Sequence, residues 1–395
     1  MADAAAPSPR RADPPLSLGV LAHSRKENEH RLPIHPRHLA DLDPALRGSI
    51  HLEHGYGERF GVTDADLLPF VARIASRAEL IADCDVILLP KVQAEDLEEM
   101  REGQTVWGWP HCVQDPVLTQ VAIDRRLTLI AFEAMNHWTA DGRFALHVFH
   151  MNNELAGYCS VLHALELAGR TGAYGRRLTA TVIGFGATAR GAVTALNAHG
   201  VTEVNVLTNR DVAAVGSPIP GTWIVQLEHD EATGTMWAQA PDGRVSVAEF
   251  LADSDIVVNC VLQDPEAPLM FLDETDLKAF PADSIIVDVS CDEGMGFSWA
   301  RPTTFDDPSF LVGASNLLYY AVDHSPSLLW DSASWEISSA LLPHLEVVLG
   351  GPAAWDGTSV VSRAIEIRDG EVVNPAVLSF QHRADAYPHP VLPVA

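Results

Sequence analysis

One stretch of the sequence constrains the fold more than any other, namely "LTATVIGFGATARGAVTALNAHGVTEVNVLTNRD", which begins at Leu178. An apolar strand runs into a glycine turn, and a helical pattern then leads to a second strand. This order lets the backbone approach a pyrophosphate at the N-terminus of the helix. A GxGxxA string is weak evidence by itself, but the flanking elements make it specific. The stretch predicts a dinucleotide site on Gly184, Gly186 and Ala189.

Strands alternate with helical patterns in the residues before this unit. The runs "LSLGVLAH", "SIHLEHG" and "LTLIAFE" are typical of strands, and "NELAGYCSVLHALELAGR" is typical of a long helix. This alternation predicts an α/β fold. A chain of 395 residues exceeds what one hydrophobic core usually supports, so we expect two lobes with a cleft between them.

Composition excludes several classes of partner. The 53 acidic and 26 basic side chains give a formal charge of −27, which repels nucleic acid phosphates and anionic membrane surfaces. No apolar run approaches the roughly 20 residues that cross a bilayer. The 5 cysteines are scattered and form no CxxC pair, so we expect neither a disulfide framework nor a zinc knuckle, and the reducing cytoplasm is the simplest compartment.

Several further motifs carry residues suited to catalysis. The run "SRKENEHRLPIHPRHL" contains Arg31, "VILLPKVQ" contains Lys91, and "REGQTVWGWPHC" contains His111. Together with "VDVSCDEG" and "YYAVDHSPSLLWDSAS", these strings resemble the alanine dehydrogenase superfamily. The resemblance runs from about Leu18 to Leu345, and it is strongest to the branch of fungal-type saccharopine dehydrogenase and N5-(carboxyethyl)ornithine synthase.

The resemblance implies two Rossmann-like lobes, one for substrate and one for a nicotinamide cofactor, and hydride exchange at a carbon that bears nitrogen. It implies that Lys91 and His111 are the acid/base pair, that Arg31 binds a substrate carboxylate, that Asp292 faces the nicotinamide, and that Glu133 lies near the substrate. We expect a flexible leader over 1–16, a substrate lobe over 17–152, a linking helix over 153–172, a dinucleotide-binding lobe over 173–325 with an inserted hairpin at about 221–247, and a C-terminal segment over 326–395 that returns to the substrate lobe.

The same side chains suit this chemistry without the resemblance. Reduction of a C=N bond needs a proton on nitrogen, and formation of the imine needs loss of water, so groups that exchange protons near neutral pH are required. A planar guanidinium binds a carboxylate with two hydrogen bonds. The alternatives are a Lys91 that reaches solvent from a strand end and a His111 buried in the core. A metal site is disfavoured, because no second ligand lies at zinc spacing from His111 or Cys112.

The motif "VDHSP" bears on the substrate. Alanine dehydrogenases carry an Asn at this position, whereas this chain has His324, like the saccharopine branch. We assign His324 to cofactor binding. The sequence therefore predicts an NAD(P)-dependent oxidoreductase that forms or cleaves a secondary amine between an amino acid and a keto acid. The alternative is a primary L-amino acid dehydrogenase of the alanine dehydrogenase type. A third possibility is a nucleotide-binding regulator without catalytic activity, but the presence of Lys91, His111 and Arg31 argues against it. The sequence is compatible with a homo-oligomer.

The end of the second nucleotide strand, "EVNVLTNRD", bears on the choice of cofactor. An acidic residue about 20 positions past the glycines would bind the ribose hydroxyls of NAD and repel a 2′-phosphate. Thr208 and Asn209 occupy that position, and Arg210 follows with a guanidinium that can bind phosphate. The pattern favours NADP(H) over NAD(H). A shift in register that brings Asp211 to the ribose is the alternative.

Overall fold

The computed structural model describes residues 14–210, 221–230, 232–241, 243–264, 267–314 and 316–393. Its strands are β1 (Leu18–Val20), β2 (Ile50–Glu53), β3 (Arg73–Ala75), β4 (Val86–Lys91), β5 (Thr105–Trp109), β6 (Thr128–Ala131), β7 (Asn136–Trp138), β8 (Phe144–His147), β9 (Thr179–Ile183), β10 (Glu203–Thr208), β11 (Thr222–Asp230), β12 (Thr235–Ala240), β13 (Gly243–Ser246), β14 (Ile256–Asn259), β15 (Met270–Leu272), β16 (Ile285–Asp288), β17 (Gly296–Phe297), β18 (Ser309–Val312), β19 (Leu317–Tyr320), β20 (Ile365–Arg368) and β21 (Glu371–Val372).

The α-helices are α1 (Pro44–Arg47), α2 (Asp64–Leu67), α3 (Arg77–Asp83), α4 (Ala94–Glu99), α5 (Pro116–Asp124), α6 (His150–Leu167), α7 (Ala187–Ala198), α8 (Val247–Ala252), α9 (Trp330–Leu341), α10 (Leu345–Leu349), α11 (Pro352–Asp356), α12 (Ser359–Ser362) and α13 (Pro375–Phe380). Short 3-10 helices span Pro36–Asp41, Glu58–Phe60, Leu68–Phe70, Phe132–Ala134, Asp276–Ala279, Ser325–Leu329 and Leu342–His344. No helix in these described ranges is long and apolar enough to cross a membrane.

The first lobe is built on a sheet with the order β21-β20-β6-β5-β4-β1-β2-β3. Strands β1 to β6 are parallel, and their order is that of a doubly wound nucleotide-binding sheet. Strand β20 joins β6 in the antiparallel direction, so the C-terminal segment returns to this lobe. Apolar side chains cover both faces of the sheet, which explains why β4, β5 and β6 are buried throughout.

The second lobe contains a sheet with the order β13-β12-β11-β10-β9-β14-β16-β19-β18. Its parallel strands have the order β11-β10-β9-β14-β16-β19, which corresponds to the order β3-β2-β1-β4-β5-β6 in the first lobe. Antiparallel strands lie at both edges of the sheet. The predicted α/β fold with two Rossmann-like lobes is confirmed. The segment predicted as an inserted hairpin belongs to this sheet, because β11 pairs in parallel with β10 and buries Val225 and Leu227.

Helix α6 follows the first lobe and packs directly on α7 of the second. A Cβ atom on Gly157 would lie 1.9 Å from the backbone oxygen of Thr188, and one on Gly191 would lie 1.7 Å from that of Glu154. Only glycine at these two positions lets the helix backbones approach so closely. The helix begins three residues before the predicted start at Asn153 and ends at Leu167.

Candidate active site

Lys91 and His111 lie at the carboxyl edge of the first sheet. Lys91 is the last residue of β4 and is paired with Trp109 of β5, and His111 follows β5 by two residues. Because the carboxyl ends of neighbouring parallel strands meet at one edge, the two side chains come together. The Nζ atom of Lys91 is 3.1 Å from Nε2 of His111. The pair can therefore exchange a proton directly.

The surroundings of the pair disfavour positive charge. Burial lowers the pKa of the Lys91 ammonium, and the charges of Arg31 and Lys26 act in the same direction against that of Asp323. Burial also lowers the pKa of His111, and the neighbouring charge of Lys91 adds to the effect. His111 is therefore neutral at neutral pH, and its Nε2 atom can accept a hydrogen bond from Lys91.

Glu133 completes the row of groups at this edge, because it follows β6, the next strand of the sheet. Its Oε1 atom accepts a hydrogen bond from the backbone N–H of His111 at 2.6 Å. That bond holds His111 at a φ of +49°, a left-handed conformation that residues other than glycine rarely adopt. The Oε2 atom is buried and has no hydrogen-bond partner in the described structure. Burial raises the pKa of Glu133 to about 8, and the charge of Glu366 adds to the shift.

Arg31 is buried beside this row, but a carboxylate of the protein already binds it. Its Nε atom donates to Oε1 of Glu29 at 2.8 Å, and its terminal nitrogens donate to Oε2 of Glu29 and to Oδ1 of Asn152. The guanidinium also lies 5.2 Å from the centre of the Trp109 ring. Burial would raise the pKa of Glu29, but Arg31 outweighs that effect and holds it below its usual range. These bonds leave two of the five N–H donors for a ligand.

Residues 26 to 27 connect the first lobe to the second. Nζ of Lys26 donates to Asp323 Oδ2 at 3.0 Å, and Nε2 of His324 lies 2.6 Å from the backbone oxygen of Glu27. The carboxylate of Glu27 accepts from the backbone N–H of Phe305 at 2.8 Å. Nδ1 of His324 lies 2.7 Å from Asp323 Oδ1. Both ring nitrogens of His324 are thus bonded within the protein, so that His324 joins the two lobes, and cofactor binding by His324 stays a prediction.

Asp292 follows β16 at the carboxyl edge of the second sheet. Burial raises its pKa to about 6, and within the described part of the chain its carboxylate forms no hydrogen bond or ion pair. The charges of Asp323 and Lys91 act on the thiol of the preceding Cys291, so these groups lie within electrostatic range of this loop. Asp292 is therefore available to a ligand in the cleft.

The glycine turn after β9 has the form that a dinucleotide requires. Gly184 has a φ of +105°, and a Cβ atom there would lie 3.1 Å from the backbone oxygen of Cys260. Gly186 caps α7 without a side-chain hydrogen bond, and a Cβ atom there would meet nothing within 4 Å. Ala189 is buried between helix and sheet. The uncapped N–H groups and the open space above them fit a pyrophosphate.

The residues at the end of β10 differ in their exposure to solvent. Thr208 is buried, and its hydroxyl accepts a hydrogen bond from the backbone N–H of Arg210 at 3.2 Å. The backbone oxygen of Asn209 accepts from Gln226, and the side chains of Asn209 and Arg210 are exposed. Arg210 is therefore accessible to a ligand. Asp211, the alternative partner of the ribose, lies outside the described residues.

The charged surroundings of Lys91 were only partly evident in the sequence. Lys26 and Glu29 lie in the same motif as Arg31, and Asp323 directly precedes His324, so their positions carried a signal. No sequence pattern indicated Glu366, because this residue is brought to Glu133 only by the pairing of β20 with β6. Among the residues that the structure describes, no group of three or more His, Cys, Asp or Glu side chains is arranged to bind a metal ion.

The chain is similar to known enzymes over most of its length. The chain is 26% identical over 373 residues to an alanine dehydrogenase of Mycolicibacterium smegmatis, which covers 89% of this chain and 93% of the relative. It is 23% identical over 341 residues to an N(5)-(carboxyethyl)ornithine synthase of Clostridium botulinum, covering 84% and 94%. A solved L-alanine dehydrogenase superposes with a TM-score of 0.70 at 18% identity, covering 92% of this chain and 99% of that one.

A solved transhydrogenase from Sinorhizobium meliloti has the same fold, with a TM-score of 0.65 at 20% identity and coverage of 91% and 99%. Two family models match most of the sequence. They are the N-terminal domain of alanine dehydrogenase/PNT over residues 19–155 and the C-terminal domain over residues 176–375. The resemblance inferred from the motifs is confirmed at the level of the superfamily. The chain belongs to the alanine dehydrogenase/PNT family of oxidoreductases.

Proposed function

We propose that the protein is an NAD(P)-dependent oxidoreductase that forms or cleaves a secondary amine between an amino acid and a keto acid. The observation that carries this proposal is the contact of 3.1 Å between Lys91 and His111, at the strand edge that faces the nucleotide lobe. Condensation of the keto acid with the amine releases water, and the resulting imine accepts a hydride on carbon and a proton on nitrogen. The reduced nicotinamide supplies the hydride when it is bound.

The proton-transfer groups have complementary roles in this proposal. Neutral His111 can take the proton that the attacking amine loses, because its Nε2 atom is an acceptor. That proton returns through the contact of His111 with Lys91 to the former carbonyl oxygen, and a second proton from Lys91 lets the resulting hydroxyl leave as water, so the imine forms already protonated on nitrogen and Lys91 is reprotonated from solvent. Glu133 is protonated at neutral pH, so its side chain does not repel the carboxylate of the keto acid. Arg31 binds that carboxylate with the donors that Glu29 and Asn152 leave unused.

Two observations favour a secondary amine as the product. The carboxyethylornithine synthase of Clostridium botulinum is similar to this chain along most of its length. His324 also stands where alanine dehydrogenases carry an Asn, and here it ties residue 27 to the nucleotide lobe. A primary L-amino acid dehydrogenase of the alanine type is the second candidate, favoured by the relative from Mycolicibacterium smegmatis. We propose NADP(H) as the preferred cofactor and NAD(H) as the alternative, because Arg210 is exposed after β10.

A matrix of substrates tests the reaction. Pyruvate, 2-oxoglutarate and other keto acids are combined with either ammonia or amino acids, and oxidation of NADPH and NADH is followed by absorbance. We expect turnover with amino acids as the amine and a product whose mass is that of the secondary amine. Turnover with ammonia alone would overturn the proposal in favour of the second candidate. Lys278→Met, at an exposed lysine, is the matched control for a Lys91→Met variant that should be inactive with every pair.

A further inference from the structure

A cavity of about 560 Å³ opens at the cleft, and neither the family match nor the acid/base chemistry accounts for it. Its described lining residues come from both lobes and from the C-terminal segment; they are Val113, Gln114, Asp264, Pro375, Ala376, Ser379 and Phe380. The volume lies in the range of sites that bind small organic molecules. The methyl group of alanine would leave most of it unfilled.

Part of the cavity wall belongs to the loop that carries His111. Val113 and Gln114 belong to the loop that carries His111, and the backbone N–H of Gln114 donates to the oxygen of His111 at 3.2 Å. Asp264 lies on the loop that follows β14 in the second lobe. Both loops leave the carboxyl edges of parallel strands, where α/β folds bind their ligands. The cavity therefore extends the cleft outward from the His111 loop.

The remaining wall is helix α13, most of which lies beyond the family match that ends at residue 375. Hydrogen bonds fix this wall to the His111 loop. The side chain of Gln381 donates to the backbone oxygen of Cys112 at 2.7 Å, and buried Arg383 donates to Gln381 and to Gln120, each at 2.7 Å. These bonds fix α13 to the loop that carries His111.

The chemistry of the lining indicates what it would bind. Val113, Pro375, Ala376 and Phe380 are apolar, Gln114 and Ser379 are uncharged, and Asp264 is the one ionisable residue among the described lining residues. Such a lining matches a hydrocarbon or aromatic group better than a charged chain. We propose that this cavity binds the side chain of the amine substrate, which is an amino acid with a large apolar side chain. This inference rests on the proposed function.

The test fills part of the cavity with a larger side chain and measures how the preference among amine substrates changes. With pyruvate as the keto acid, kcat/KM is measured for phenylalanine, leucine, glycine and ornithine in the wild type, in Ala376→Trp and in Ser379→Trp. Both positions are exposed on α13, so the larger ring can be accommodated without unfolding the helix. Val373→Trp is the matched control, because Val373 is exposed nearby and does not line the cavity.

We expect the wild type to prefer phenylalanine or leucine to glycine by about tenfold or more. Each tryptophan variant should lower that ratio by about tenfold, and Val373→Trp should keep the wild-type ratio. Secondary amine formation without this preference, or with ratios that the tryptophans do not change, overturns the subsite and leaves the proposed function standing. Preference for ornithine overturns the apolar assignment. Activity with ammonia alone overturns the proposed function and the subsite together.

Discussion

Replacement of Glu133 by glutamine tests whether this partly buried carboxyl group at the candidate active site titrates near pH 8. The pKa of Glu133 is raised from 4.5 to about 8, chiefly by burial. Each pKa unit corresponds to about 1.4 kcal/mol, so ionising this group costs the folded state up to about 5 kcal/mol. Because its folded pKa lies above its unfolded pKa, this contribution to stability is complete below about pH 4.5 and is lost as the pH rises through about 8. The amide of the Glu133→Gln variant would stay neutral throughout.

The assay compares the free energy of unfolding of Glu133→Gln and wild type by denaturant titration at two pH values. From about pH 6 to about pH 9.5 the advantage of the variant should grow by up to about 3 kcal/mol. The side chain is 28% exposed, and solvent screening reduces the expected growth to about 1 to 2 kcal/mol. Glu371→Gln is the control, because it also replaces a glutamate by glutamine but at an exposed position. An advantage that does not change with pH, or that Glu371→Gln reproduces, would refute the reasoning.

Three further predictions concern the proposed roles of single side chains. Lys91→Met should lower kcat by about 10²-fold or more while leaving dinucleotide affinity nearly unchanged, because the nearest proton donor to His111 is removed; a variant with wild-type turnover would contradict the assignment. Arg31→Lys should raise the KM for the keto acid by about 10-fold to 100-fold, since an ammonium cannot bond Glu29 and a substrate carboxylate as a guanidinium does; an effect confined to the KM of the cofactor would show that Arg31 serves another ligand. Arg210→Ala should lower the ratio of kcat/KM for NADPH to that for NADH, because the exposed guanidinium is proposed to bind the 2′-phosphate; unchanged selectivity, or a wild type that prefers NADH, argues against this role.

The sequence predicts the parts of this molecule that depend on local patterns. The strand, glycine turn and helix around Gly184 are contiguous in the chain, and the short apolar runs indicate the parallel strands of both sheets. The hairpin predicted after β10, with "PDGR" as its turn, corresponds to the antiparallel pairing of β12 with β13. The parallel pairing of β11 with β10 was not predicted, because the hydrophobic pattern of a strand does not identify its partners.

The candidate site shows the same limit. The motifs identify Lys91 and His111, and the strand order explains why they meet. The motifs do not show that Glu29 binds the Arg31 guanidinium, because the spacing of two residues does not specify where side chains in a loop point. They also do not connect Glu133 with Glu366, whose proximity depends on the return of β20 to the first sheet.

That return has a consequence for the order in which the lobes fold on the ribosome. Ile337, Leu341 and Trp355 belong to the same apolar cluster as Leu18 and Ile50, so the core of the first lobe is incomplete until the last part of the chain has been synthesised. The second lobe has its sheet within one continuous stretch of the chain and can bury its core earlier. Domains generally fold as units during synthesis, N-terminal first. Here the lobe that is made first is the last to be completed, so its apolar strands stay uncovered for longer during synthesis.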